Sequence, residues 1–140
     1  MNNIYNVAII DDEAIGIFNL CNSLAAFSNI AVTGTAQTPQ EGKKLILEKR
    51  PDLLFLDVEM PEVSGLELLR EIKNQINWQM QVVFYTAYEK YLLEALRESA
   101  FDYLLKPYEP SEFSVVMNRF FASVAKENKL SSFIDSLSRL

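Results

Sequence analysis

The chain has 140 residues and a formal net charge of -6, with 49% apolar and 23% charged residues. That length and balance suit one globular domain with a single core, and they exclude a disordered or fibrous chain. The acidity, without any basic cluster, argues against a surface that holds nucleic acid by itself.

Histidine is absent, which removes His-based triads, His metal sites and a phosphohistidine relay within the chain. The lone cysteine, Cys21, excludes an internal disulfide and reads as a buried packing residue. No signal peptide opens the sequence, and no apolar run approaches the roughly 20 residues that span a membrane. A soluble, cytoplasmic protein without a membrane partner is therefore expected.

In chain order, Tyr5 to Ile10 reads as a first strand ending on Asp11 and Asp12. A helix follows, with Ala14, Ile17, Phe18, Cys21, Leu24 and Ala25 at helical spacing. Ile30 to Thr33 is a short second strand closed by Gly34. Thr38-Pro39-Gln40-Glu41 combines a capping-box pattern with proline at the first helical position. The helix it starts turns Leu45, Ile46 and Leu47 inward and ends near Arg50-Pro51.

The third strand is Leu53-Leu54-Phe55-Leu56. Four consecutive apolar residues are the pattern of a strand buried on both faces, and the run stops on Asp57. Ser64-Gly65-Leu66-Glu67 is a second capping box, opening a helix whose buried face is Leu66, Leu68, Leu69 and Ile72. Trp78 lies in the polar connector that follows and reads as surface-packed. Gln81 to Tyr85 is a fourth strand running into Thr86. A helix over about Glu89 to Glu98 carries Leu92, Leu93 and Leu96. Tyr103-Leu104-Leu105 is a fifth strand running into Lys106-Pro107, and a last helix begins near Pro110-Ser111.

Five strands alternating with five helices through short connections predict an α/β fold with a doubly wound, five-stranded parallel sheet. With right-handed crossovers, the order 2-1-3-4-5 fits best. All carboxyl ends then lie on one edge of the sheet. That edge collects Asp11 and Asp12, Asp57, Thr86 and Lys106 from four strands. Each of these residues alone is an ordinary cap, turn or surface residue; their conjunction is what points to a site. Strands 1 and 3 are neighbours in this order, so three carboxylates meet, and their mutual repulsion raises at least one pKa. A hard divalent cation such as Mg2+ relieves that conflict.

The stretches Val7 to Glu13, Leu56 to Pro61 with Ser64-Gly65, Thr86-Ala87 and Tyr103 to Pro107 closely resemble bacterial response-regulator receiver domains. The likeness places a receiver over residues 1–125 and leaves 126–140 as a helical extension or linker. Thr86-Ala87-Tyr88 and the Ala100 to Pro107 run are most similar to receivers of the LytR/AlgR group, which usually precede a LytTR-type DNA-binding domain. The resemblance implies a phosphorylation switch of a two-component system. Asp57 would accept the phosphoryl group of a partner histidine kinase. Asp12, Asp57 and the backbone carbonyl of Glu59 would hold Mg2+, with Asp11 acting mainly through water. Lys106, before a cis Pro107, would pair with phosphoryl oxygens.

Thr86 and Tyr103 match the family's switch pair, which would alter the face made by the fourth helix, fifth strand and fifth helix and so control a possible homodimer. Glu59 and Tyr88 match positions that tune how long the phosphoryl group survives. Ser99 stands where this group usually has a glycine, a residue suited to a left-handed helix end, so some strain is expected there. Any contact with DNA would pass through an output domain absent from these 140 residues.

Two other readings compete with the receiver. A metal-dependent phosphatase with an aspartyl-phosphate would need an Asp two residues after Asp57, where Glu59 stands. A flavodoxin-like cofactor binder would need a Ser/Thr/Gly-rich loop after the first strand, which is lacking. Beyond Lys126, apolar residues resume as Leu130, Phe133, Ile134, Leu137 and Leu140. Their spacing suits either an amphipathic linker or a dimer contact.

Overall fold

The structure is a computed structural model that describes residues 3–140. Its elements are β1 (Tyr5–Ile10), α1 (Ala14–Leu24), β2 (Ile30–Ala36), α2 (Pro39–Lys49), β3 (Leu53–Leu56), α3 (Gly65–Ile72), β4 (Gln81–Thr86), α4 (Leu92–Arg97), β5 (Asp102–Leu105) and α5 (Pro110–Ser138). The five strands are parallel in the order β2-β1-β3-β4-β5, as expected.

The sheet is organised around β3. Its four residues are fully buried, and it pairs with β1 on one side and β4 on the other. Each such leucine or phenylalanine removed from water contributes about 1.5–3 kcal/mol. Because side chains alternate along a strand, Leu54 and Leu56 point to one face with Ala8, Ile10, Val82 and Phe84. There they join Ile46 of α2, Leu66, Leu69 and Ile72 of α3 and Ala95 of α4 in one cluster. Val7, Ile9, Phe55, Val83 and Tyr85 alternate to the opposite face, on the side of α1.

Both sequences cap their helices through the hydroxyl half of the expected box. The Thr38 hydroxyl accepts the Glu41 N–H at 3.2 Å, and the Ser64 hydroxyl accepts the Glu67 N–H at 3.1 Å. Trp78 is surface-packed: its indole N–H donates to the Pro51 carbonyl at 2.9 Å, and the Arg50 guanidinium lies 4.5 Å from its ring centre.

Several elements differ from their sequence reading. β2 does not end at Gly34 but passes through it to Ala36, with a register shift between Val7 and Ala8 of the partner strand. Leu45 of α2 lies over Gly34, so closely that a Cβ there would come within 2.2 Å of its Cδ1. The glycine serves a close approach rather than a chain turn. Helix α1 buries Gly16, Leu20 and Leu24, leaving Ile15 and Phe18 about 60% exposed. Cys21 is half-buried rather than buried, and burial pushes its thiol pKa up.

Helix α4 is only six residues long and follows a 3-10 turn at Glu89–Tyr91. It buries Ala95 alone; Leu92, Leu93 and Leu96 are exposed. Charges tether its end instead. Glu98 accepts from Arg70 at 2.8 Å and from Lys73 at 2.9 Å, both from the α3 region. Ser99, just beyond, has φ 62, the left-handed conformation expected where a glycine is usual.

The chain divides into two compact units, one ending at Tyr108 and one comprising Glu109–Leu140. The second unit is α5, opened by a reciprocal capping box between Glu109 and Glu112 with Pro110 in the first turn. Phe113, Val116, Met117 and Phe120 are its buried residues, at spacings of three and four. The helix then continues unbroken past residue 126 to Ser138, with Leu130, Phe133, Ile134 and Leu137 all more than half exposed.

Candidate functional site

Parallel register brings the strand ends together. Ile10 pairs with Leu56, so Asp11 and Asp57 follow side by side, and the Asp57 N–H donates to the Ile10 carbonyl at 2.9 Å. Thr86 pairs with Leu105, so Lys106 follows next, its N–H donating to the Thr86 carbonyl at 2.8 Å. The residues that sequence reasoning gathered from strands 1, 3, 4 and 5 therefore form a row on one edge of the sheet.

Asp11 is fully buried, Asp57 is 4% exposed and Thr86 is 1% exposed. Carboxylate oxygens of Asp11, Asp12 and Asp57 all lie within 4.8 Å of one another. The Lys106 ammonium is placed between two of them, 2.8 Å from Asp11 Oδ2 and 3.3 Å from Asp57 Oδ2. The other oxygen of Asp11 accepts the Glu13 N–H at 3.0 Å. Asp11 thus engages Lys106 and the start of the loop after β1.

One lysine cannot neutralise three close carboxylates, two of them buried. Burial pushes the Asp57 carboxyl up, and the charge of Asp11 adds to this against the pull of Lys106, so that its pKa rises to about 7. Burial pulls the Lys106 ammonium down, but its bond to Asp11 and the charges of Asp57 and Asp11 leave it above the ordinary lysine range. It stays cationic.

Two buried polar atoms at this edge have no hydrogen-bond partner, Asp12 Oδ1 and Thr86 Oγ1. Leaving such an atom unsatisfied costs about 1–3 kcal/mol, which a bound group can recover. Three close carboxylates, one with an orphan oxygen, match the donor set that suits a hard divalent cation, which takes a few carboxylate oxygens and keeps waters.

Glycines make room for this arrangement. A Cβ on Gly16 would fall 1.9 Å from Asp11 Oδ2, so only glycine lets α1 pass so near the carboxylate. That requirement also sets the rotation of α1: Gly16 faces the site, and Phe18 turns outward. A Cβ on Gly65 would lie 2.1 Å from the Asp57 carbonyl oxygen, a backbone atom that cannot give way. The sequence marked Gly65 as part of a helix cap and of the stretches that carry the resemblance, and gave no reason to select Gly16.

The remaining expected residues lie around this edge in other roles. The Glu59 carboxylate accepts a hydrogen bond from the Tyr91 hydroxyl and lies 3.7 Å from the Lys90 ammonium. Tyr103 is half-buried, and its hydroxyl donates to the Tyr88 carbonyl in the connection after β4. Burial raises its phenol to about 12, so it is a donor at any physiological pH. The Lys106-Pro107 bond is cis, as the resemblance implied. Sequence reading did not select Tyr85, whose ring centre is 4.4 Å from the Lys106 ammonium. Nor did it select Tyr91; neither carries a motif that would mark it.

A family model described as the response regulator receiver domain matches residues 7–118. The chain belongs to this family. As a receiver domain of a two-component system it is similar to a response regulatory protein of Vibrio cholerae, 38% identical over 120 residues, which cover 86% of this chain and 50% of that protein. It is also similar to the transcriptional regulatory protein BtsR of Escherichia coli, 35% identical over 122 residues, covering 87% and 50%. The chain spans about half the length of the curated relatives it matches.

Among solved structures, this receiver resembles the REC domain of AraT, a response regulator from Geobacillus stearothermophilus. The TM-score is 0.77 at 31% identity, over 89% of this chain and 98% of the other. The response regulatory domain of mrkE from Klebsiella pneumoniae gives 0.79 at 26% identity, over 86% and 98%. No described helix is long and apolar enough to cross a membrane.

Proposed function

We propose that this receiver is a phosphorylation-dependent switch in which Asp57 accepts a phosphoryl group from a partner histidine kinase. The observation that carries this reading is the pairing of Asp57 with Lys106 at 3.3 Å beside two buried orphan atoms, Asp12 Oδ1 and Thr86 Oγ1. A carboxylate oxygen of Asp57 forms the new O–P bond as the P–N bond of the donor's phosphohistidine breaks, leaving a mixed anhydride. Lys106 presents its ammonium to the phosphoryl oxygens once Asp57 no longer carries the charge. Asp12 and Asp57, with the Glu59 backbone carbonyl and with Asp11 acting through water, would hold Mg2+. When bound there, Mg2+ neutralises charge on the transferring group. The chain acts only on its own phosphorylation state and turns over no separate substrate.

Thr86 and Tyr103 form the relay. The Thr86 hydroxyl, free of any present bond, is available to a phosphoryl oxygen. Its movement would let Tyr103 exchange its bond to the Tyr88 carbonyl for an inward position. That changes the surface carrying Tyr103 and the exposed Leu92, Leu93 and Leu96, through which a homodimer would be controlled. Residues 1–125 would be the receiver, and 126–140 would lead toward a DNA-binding output domain of the LytTR type in a cytoplasmic transcription regulator. The similarity to BtsR, named a transcriptional regulatory protein, supports that part.

Incubation with acetyl phosphate and Mg2+, followed by intact-mass measurement, tests the reading. We expect one phosphoryl group per chain, lost on chelation of the metal and absent in Asp57→Asn. Undiminished incorporation in Asp57→Asn would sink the assignment.

A further inference from the structure

Lysine carries a compact charge on a flexible four-carbon stem, so its direction must be imposed from outside. Around Lys106, two of the groups that impose it are Asp11 and Asp57, at 2.8 and 3.3 Å. The third is the ring of Tyr85, whose centre lies 4.4 Å from Nζ, well inside the range in which a ring face attracts a cation.

Tyr85 is itself held firmly. It is 3% exposed at the penultimate position of β4. The Tyr108 ring stands against it at 5.9 Å and 64°. Tyr108 is pinned to α1 in turn, with its hydroxyl bonded to that of Ser23 and donating to the Asn19 carbonyl at 3.2 Å.

We infer that Tyr85 is a positioning residue for Lys106, its ring face keeping the ammonium near Asp57 and so setting how fast Asp57 takes up a phosphoryl group. This rests on the acceptor role proposed above for Asp57. Before transfer the two carboxylates pull unequally, since Asp11 is the nearer at 2.8 Å against 3.3 Å for Asp57. Without a further restraint the ammonium settles on Asp11, away from the oxygen of Asp57 that forms the new O–P bond. A ring face attracts the cation without taking its proton and without changing charge at any stage. It therefore holds Nζ in place while the carboxylate beside it is converted. An aliphatic residue of similar bulk would fill the core equally well but offer the cation nothing.

Three versions of the 140-residue chain decide the matter: wild type, Tyr85→Phe, which keeps the ring, and Tyr85→Leu, which does not. The readouts are the initial rate of phosphoryl incorporation from acetyl phosphate at saturating Mg2+, and the proton shifts of the Lys106 ε-methylene. We expect Tyr85→Leu to slow incorporation by about five- to thirtyfold, the range from an exposed to a desolvated cation–ring contact, and Tyr85→Phe to recover most of the rate. The ε-methylene protons should be shifted upfield by the ring in wild type and Tyr85→Phe and should return to ordinary lysine values in Tyr85→Leu. The upfield shift is measured on the unaltered protein, so a poorly folded Tyr85→Leu chain does not shield the idea. A wild-type ε-methylene with no upfield shift overturns it, as does a Tyr85→Phe chain as slow as Tyr85→Leu, or a folded Tyr85→Leu chain within twofold of wild type. A wild-type chain that takes up no phosphoryl group overturns the acceptor role of Asp57, and this inference with it.

Discussion

Asp57 is kept where its ionised form is disfavoured. Its pKa, raised to about 7 chiefly by burial, means that between the ordinary carboxylate range and about pH 7 the folded chain binds a proton that the unfolded chain has released. Stability contributed by this group is therefore present at low pH and falls as pH rises through that window. Replacing Asp57 by Asn removes the charge, while Lys106 keeps Asp11 as its partner at 2.8 Å. In chelator, Asp57→Asn should be more stable than wild type by about 2 kcal/mol at pH 8, and the gain should fall to less than half of that at pH 5. Urea unfolding at the two pH values checks this; an equal gain at both would show that the charge is not the cause. The same residue is thus costly to the fold and necessary to the proposed chemistry, a pattern typical of functional sites.

At the scale of single elements, α4 contrasts with α3. Helix α3 buries Leu66, Leu68, Leu69 and Ile72 and is secured by the Ser64 cap. Helix α4 is short, buries Ala95 alone and depends on Glu98 contacts to Arg70 and Lys73. Leu96, 61% exposed, should therefore tolerate Leu96→Ser within about 0.5 kcal/mol. Leu69, 4% exposed, should lose about 2–4 kcal/mol as Leu69→Ala. Thermal unfolding of both variants tests the contrast, and comparable losses would mean that α4 is packed in a way its exposure does not indicate. Ser99, at φ 62, carries the strain of a left-handed non-glycine residue just after this helix. Ser99→Gly should raise stability by about 0.5–1 kcal/mol in urea unfolding, the backbone relief exceeding the added freedom of the unfolded chain. A loss would place the serine side chain in a role of its own.

For the whole molecule, the acidic edge should couple ion binding to folding. A cation that binds only the folded chain stabilises it by about 2.7 kcal/mol when present at 100 times its dissociation constant. We expect Mg2+ to raise the unfolding midpoint accordingly, and Asp12→Asn to remove most of the rise, since it alters the orphan oxygen. A midpoint indifferent to Mg2+ in the wild-type chain would leave the three carboxylates without the partner proposed for them. The exposed apolar residues Leu130, Phe133, Ile134 and Leu137 of helix α5 extend the chain well past the matched family segment, which ends at residue 118.

The sequence by itself determined the architecture and which polar strand-end residues share one edge of the sheet. Strands such as Leu53–Leu56, wholly apolar and ended by an acid, are readable because burial on both faces demands it, and parallel topology then obliges all strand ends to share one edge. It also marked the left-handed position at Ser99, where a glycine is usual. Side-chain rotation and spacing were decided only in three dimensions. Two apolar sets on α1 satisfy helical periodicity equally, and the choice went to Gly16, Leu20 and Leu24 because nothing larger than glycine fits beside Asp11. The leucines of α4 have the spacing of a core face, yet a helix of six residues placed Ala95 inward and left them in water. Tyr85 reads from sequence as one more buried strand residue. Only the tertiary structure sets its ring against the Lys106 ammonium, because contacts between residues far apart in the chain follow from packing and leave no local pattern.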